Sequence, residues 1–126
     1  MANLSVPLSR HCSVLLENRD IYIIGGFQDR DPFSAKTIIF NFKSNNSYTM
    51  RSVMKSGRQL HSCAVIDGNK IIVAGGRNWK GSIKTVEVLY TSTQRWTEMK
   101  NLEFKTGFGY GNLLSLPLGK HFIQIV

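Results

Sequence analysis

A diglycine ends two closely similar apolar stretches, Ile21-Tyr22-Ile23-Ile24-Gly25-Gly26 and, 50 positions on, Ile71-Ile72-Val73-Ala74-Gly75-Gly76. The surrounding block repeats with it. His11 matches His61 and Leu15-Leu16 matches Val65-Ile66 at the same offset, while Phe42 and Tyr48 match Tyr90 and Trp96 at an offset of 48. Two extra residues are therefore expected in the loop after the first diglycine. Repetition at such a period points to a propeller or solenoid, in which each unit buries its apolar faces only against its neighbours. Units are read at about residues 10–57 and 58–104, with a partial third at 105–126. In that third unit residues 105–110 stand where the 58–62 turn should be, 112–116 and 121–126 read as strands, and no diglycine follows. Residues 5–11 resemble the tail of an earlier unit, so the chain reads as a section of a longer array.

No segment keeps apolar residues at i, i+3, i+4 and i+7, and β-branched and aromatic side chains dominate the apolar runs. The chain is expected to be all-β, with four short strands per unit: 12–16, 20–24, 36–42 and 47–50, then 62–66, 70–74, 83–90 and 95–98. Asp67-Gly68-Asn69 can supply the positive φ of a tight hairpin. The second strand of each unit is apolar at consecutive positions, as a strand covered on both faces should be, and sheets stacked face to face provide that cover. Gly25, Gly26, Gly75 and Gly76 are then places of close backbone approach, or of dihedrals a Cβ would forbid. A phosphate cradle would need a Gly-rich turn opening a helix; no helix is read after either pair or after Gly107-Phe108-Gly109-Tyr110-Gly111.

These residues resemble kelch repeats. That family's pattern has an Arg and often a His before the first strand, Gly-Gly at the end of the second, and a Tyr and a Trp about six apart on the third and fourth. The second unit carries Arg58, His61, Gly75-Gly76, Tyr90 and Trp96; the first has Phe42 for the Tyr and Tyr48 for the Trp. The third departs further, with Lys105 for the Arg and Tyr110 near the His position. The resemblance implies four-stranded antiparallel blades of a kelch-type β-propeller, here an incomplete ring of about two and a half blades. Propellers close with four to eight blades, so open blade edges and possible self-association through them are also implied.

Sixteen basic against eight acidic side chains give a net charge of +8, which favours acidic partners. No apolar run approaches the length of a membrane span, and Glu17, Arg19 and Asp20 interrupt the first apolar stretch, unlike a signal peptide. A cytoplasmic location is expected, with the nucleus as an alternative, and Cys12 and Cys63 are read as buried free thiols of a reducing compartment. His11, Cys12, His61 and Cys63 are a possible zinc set in composition, but their spacing matches no zinc module and each His is a repeat position. No nucleophile elbow, His-Glu-x-x-His helix or P-loop is present, so no enzymatic activity, metal or cofactor is expected. His11, Phe42, Tyr48, His61, Tyr90 and Trp96 are assigned to structure, the aromatics to packing between blades.

Function is expected in loops, because the strands are committed to packing. Arg30, Lys55, Arg58, Arg77 and Lys80 lie in the connections after each diglycine or before a first strand, and Trp79 stands outside the repeat pattern between cations. Guanidinium groups there can grip carboxylates, which makes an acidic segment of a protein partner the natural ligand. In some kelch proteins such arginines bind acidic motifs, and the resemblance implies that role for Arg58 and Arg77; the alternative is that Arg58 pins its own turn. The expectation is a protein-interaction module, in a longer parent the substrate-recognition part of a ubiquitin-ligase adaptor, with actin binding another family theme. The competing readings are polyanion or nucleic-acid binding through the basic surface and a truncated, non-functional remnant.

Overall fold

In a computed structural model, which describes residues 8–28, 30–103, 116–118 and 121–123, every regular element is a β-strand. They are β1 (Leu8–Ser9), β2 (Cys12–Leu15), β3 (Ile21–Ile24), β4 (Phe27–Gln28), β5 (Thr37–Asn41), β6 (Asn46–Thr49) and β7 (Ser62–Ile66). Then follow β8 (Lys70–Ala74), β9 (Arg77–Asn78), β10 (Gly81–Ser82), β11 (Thr85–Tyr90), β12 (Arg95–Glu103), β13 (Leu116–Leu118) and β14 (His121–Ile123). The eight expected strands of the two units appear within a few residues of their expected bounds. They form two antiparallel sheets, β2-β3-β5-β6 and β7-β8-β11-β12. Of the third unit, β13 and β14 pair as a hairpin, and residues 104–115 lie outside the described residues.

The two sheets stack face to face as neighbouring blades, with their first strands β2 and β7 in contact. The interface is one apolar cluster: Leu16, Tyr22, Ile24 and Ile39 of the first blade, Ile71, Val73 and Leu89 of the second, and Met50 and Met54 of the connection between them. Full burial of such side chains is worth roughly 1.5–3 kcal/mol each. The consecutive apolar runs are covered on both faces: Ile71 to Ala74 are wholly buried and Tyr22, Ile23 and Ile24 nearly so. At the hairpin, Asp67 and Gly68 take the positive φ that the turn chemistry leads one to expect, 50° and 72°.

Strand register corrects the alignment of the aromatics. Ile24 pairs with Thr37 in the first blade and Ala74 with Val86 in the second, so the third strands are related by 49 positions and the connection is longer by one residue. The position equivalent to Tyr90 is Asn41, and that equivalent to Trp96 is Ser47. A one-residue step turns a side chain to the other face of its sheet. Tyr48 therefore sits on the first blade's face toward the second, in the row Val14–Tyr22–Ile39–Tyr48, and Trp96 on the second blade's face toward the first, in the row Val65–Ile71–Leu89–Trp96. Of the four aromatics only Trp96 packs against the interface core. Phe42, Tyr48 and Tyr90 are exposed, Phe42 edge-on to Phe40 and Tyr90 beneath the Lys70 ammonium.

The cysteines obey the same arithmetic and overturn the free-thiol expectation. They are 51 residues apart and joined as a disulfide, with Cα atoms 6.1 Å apart. Because Cys12 pairs with Ile24 and Ser62 with Ala74, Cys12 and Ser62 are the equivalent positions and Cys63 is one step beyond. That step turns Cys63 toward the neighbouring blade and onto Cys12. The bond closes a long loop across the blade interface, which by chain entropy stabilises the fold by about 4 kcal/mol. We expect Cys12→Ser, or reduction of the native chain, to lower the free energy of urea unfolding by about 2–4 kcal/mol; equal midpoints with and without reductant would contradict the staple.

Candidate functional site

The alternation of strand direction puts the connection after each diglycine, the segment joining the blades, and the entry to each first strand at one end of the blades. Backbone bonds knit them together there: Gly26 N–H donates to Arg58 O (2.7 Å), Arg58 N–H to Ser34 O (3.1 Å) and Met54 N–H to Ala35 O (2.9 Å). The diglycines make this approach possible. Gly25 and Gly26 have φ of 64° and 82°, Gly75 and Gly76 of 71° and 83°. A Cβ on Gly25 would lie 2.8 Å from His61 Cε1, and one on Gly76 2.8 Å from His61 Cβ, so the imidazole is wedged between two glycine corners. Its Nε2 lies 2.8 Å from Ile24 O, which identifies the tautomer that donates there, while Nδ1 is buried without a partner.

Burial pushes the His61 pKa down from 6.5 to about 4, outweighing the bond to Ile24. The exposed end of the molecule thus rests on a neutral, buried imidazole. His11, the equivalent residue, is exposed, and its pKa is lowered by the burial of part of its ring.

Arg58 lies at the centre of this end and points inward. Its side chain is 0% exposed, and its Nη2 pairs with Glu87 Oε2 at 2.7 Å. Nη1 donates to Gly75 O (3.1 Å) and Thr85 O (3.0 Å), and Nε to Ser56 O (3.3 Å). Glu87 also accepts from the backbone N–H groups of Lys55 (2.6 Å) and Ser56 (3.2 Å). Burial lowers the Arg58 pKa, with Glu87 acting in the opposite sense. The expected role of Arg58 in gripping a partner is therefore corrected: its guanidinium is engaged inside the molecule, holding the entry segment to β11 through Thr85 and Glu87 and to the second diglycine through Gly75. By repeat register the corresponding positions of the first unit are Leu8 and Ile38, an apolar pair where the second unit has an ion pair.

The other expected contact residues remain on the surface of the same end. Trp79 is 77% exposed, with Lys80 Nζ 5.0 Å from its ring centroid and the Lys80 N–H bonded to Asn78 Oδ1 at 2.9 Å. Arg30 and Arg77 are exposed, and the Arg77 backbone exchanges hydrogen bonds with Gln59. Lys55 is exposed but engaged, 2.9 Å from Glu98, which raises its pKa. The repeat reading missed three exposed cations of this end, Arg10, Lys36 and Lys84. Arg10 has a φ of 56° and reaches across to Gln59 Oε1 at 2.9 Å, and Gln59 Nε2 donates to Pro32 O at 2.8 Å. Arg10 precedes the entry to β2, and Lys36 and Lys84 immediately precede β5 and β11; the expected strands 36–42 and 83–90 include those two lysines, which are therefore not counted with the loops. Among the described residues of these loops the one exposed carboxylate is Asp31.

Metal chemistry at the His–Cys set does not fit this geometry. Cys12 and Cys63 are bonded to each other and His61 Nε2 faces a carbonyl. Among the described residues no group of three or more His, Cys, Asp or Glu side chains is placed to hold a cation. Among the same residues no helix is long and apolar enough to cross a membrane.

Comparison with known proteins places these features. The Kelch motif family model matches residues 60–103. The chain is 28% identical to the Kelch repeat-containing protein At1g19470 of Arabidopsis thaliana, over 82% of this chain and 24% of that protein. It is 34% identical to Kelch-like protein 41b of Danio rerio, over 72% of this chain and 15% of that protein. The solved structure of YjhT is similar with a TM-score of 0.68 at 18% identity, over 92% of this chain and 44% of that one. The chain thus spans about a quarter or less of the length of these two curated relatives.

Two tests follow from the buried groups. A neutral His61 in the fold and a normal one in the unfolded chain mean that the unfolded state takes up the extra proton as pH falls. Stability should be flat above pH 6.5 and fall by roughly 3 kcal/mol between 6.5 and about 4. In His61→Gln this component of the slope should vanish from denaturant titrations across that range; identical pH profiles would contradict the burial argument. Arg58→Ala, which strands the Glu87 carboxylate, should cost about 3–5 kcal/mol. Arg58→Leu with Glu87→Ile, copied from the first unit, should recover most of it in the same assay.

Proposed function

The chain belongs to the kelch-repeat family, and from that premise we propose that it acts as a protein-interaction module whose basic loop end takes an acidic segment of its partner. Kelch repeats generally mediate protein–protein interaction, and the two described sheets are blades of a kelch-type β-propeller. One observation carries the finer reading. Arg10, Arg30, Lys36, Arg77, Lys80 and Lys84 are exposed at one end of the blades, which also carries the exposed Trp79 with Lys80 over its ring, and Asp31 is their one exposed carboxylate among the described loop residues. An exposed Trp in a cationic setting provides an apolar anchor beside groups that pair with carboxylates. Lys55 contributes less, because Glu98 already holds it.

The substrate-recognition part of a ubiquitin-ligase adaptor, or an actin-binding element, is a more specific form of the same reading and rests on family resemblance. No catalytic step is assigned. A cytoplasmic or nuclear setting accords with the reading only where Cys12 and Cys63 are kept as adjacent thiols, since their bond belongs to an oxidising compartment. Polyanion binding is the second reading, favoured by the charge of +8.

The test is a nitrogen-15 NMR titration of the chain with an Asp- and Glu-rich peptide and, separately, with a short oligothymidylate. Amide shifts are expected to centre on Arg77, Trp79 and Lys80, and Trp79→Ala should weaken the peptide by roughly thirtyfold, a hot-spot loss of ~2 kcal/mol. The peptide should survive moderate salt. Preferential binding of the oligonucleotide, falling steeply with ionic strength, would favour the polyanion reading instead.

A further inference from the structure

At the other edge of the blades, away from β2 and β7, the outermost strands β6 and β12 border an open groove of about 700 Å³. Tyr48, Arg51, Gln94, Arg95 and Trp96 are among its lining residues. We propose that this rim groove is a second binding site, which takes an extended acidic segment of a partner protein lying between the two blades. Its Arg51 and Ser52 begin the segment that joins the blades, but it shares no lining residue with the cations and Trp79 assigned to the loop end, and it does not depend on the reading given to that end.

Charge argues for an acidic ligand. Arg51 and Arg95 are both exposed, and neither side chain makes a hydrogen bond or ion pair among the described residues. Among the described residues no Asp or Glu lines the groove. Two unengaged guanidinium groups beside one cleft favour carboxylates, which they can hold bidentately.

Backbone geometry argues for an extended chain. Among the described residues β6 and β12 end their sheets, so each has one edge without a strand partner there. The Trp96 N–H is directed off that edge, where the Ser52 hydroxyl accepts it at 3.2 Å. Such edges bind extended peptides through main-chain hydrogen bonds, with flanking side chains setting the choice of sequence. The groove is also within the size range of ordinary ligand sites, roughly 300–1,000 Å³.

The aromatics argue against a nucleic acid. Trp96 packs its ring against the interface core, and Tyr48, 47% exposed, holds its hydroxyl 3.4 Å from Gln94 Nε2. One open ring is a poor track for stacked bases, whereas it suits an apolar residue between two acidic ones. The position of Trp96 also supplies a reporter, since the chain has two tryptophans and Trp79 lies in the loop end.

In a Trp79→Phe background, where emission comes from Trp96 alone, the full chain is titrated with a heptapeptide of alternating glutamate and valine. A saturable change in emission is expected. Arg51→Ala with Arg95→Ala should weaken binding by about tenfold or more, and the corresponding double lysine variant should restore most of it. Arg77→Glu with Lys80→Glu, at the loop end, should leave the affinity within about threefold. The proposal is overturned by an unresponsive Trp96, by unchanged affinity in the double alanine variant, or by loss of binding in the loop-end variant. It is equally overturned if the lysine–valine counterpart or a short oligothymidylate binds at this groove in preference to the acidic peptide.

Discussion

The insertion of His61 between the glycine corners of two successive blades is the contact on which the rest of the architecture depends. Gly25 of the first blade and Gly76 of the second leave no room for a Cβ beside that imidazole. With the ring in place, Nε2–H donates to the carbonyl that ends β3. The incoming backbone then follows: Arg58 O receives the Gly26 N–H, and Gln59 pairs with Arg77. One side chain and three glycines, Gly25, Gly26 and Gly76, thus fix how closely the blades approach and where the segment joining them must run. Burial favours the neutral ring, since a charged imidazole there would be largely desolvated and has no carboxylate beside it among the described residues.

Around this wedge, polar and apolar solutions coexist at equivalent positions. The second unit ties its entry segment to β11 through Arg58 and Glu87; the first has Leu8 and Ile38 at those places. Buried ion pairs and apolar pairs of similar volume are often interchangeable in stability, and what distinguishes the ion pair is its directionality. Here the five donors of the guanidinium collect Ser56, Gly75, Thr85 and Glu87 about one point. That fixes the loop carrying Lys55 relative to the loop that begins at Arg77. The loop end is consequently a surface of exposed cations set on a rigid, inward-facing cation, two roles for residues of the same charge.

Much of this was legible in the repeats. The strand assignments, the two diglycine corners and the buried second strands all follow from short-range pattern, because pleat alternation and turn chemistry act over a few residues. The location of Arg30, Arg77, Trp79 and Lys80 at an exposed end also follows, since the connections after the same strand of each unit must lie at the same end. The burial of Arg58 could not be read in this way. A basic residue before a first strand is equally suited to solvent and to a carboxylate, and Glu87 is 29 residues away on another strand. The rim groove was invisible for the same reason, one of its arginines coming from the segment that joins the blades and the other from β12.

What the sequence by itself determined is a repeating all-β chain with four strands to a unit and cationic connections, because period, turn residues and apolar runs are local properties of the chain. Only the tertiary structure decided which side chains meet across the blades. The face each side chain takes depends on a single residue of register, and register is settled by strand pairing. A separation of 51 in a repeat of 50 brought Cys63 onto Cys12. A one-residue difference in the connection after the diglycine set Tyr48 and Trp96 on facing rather than equivalent surfaces.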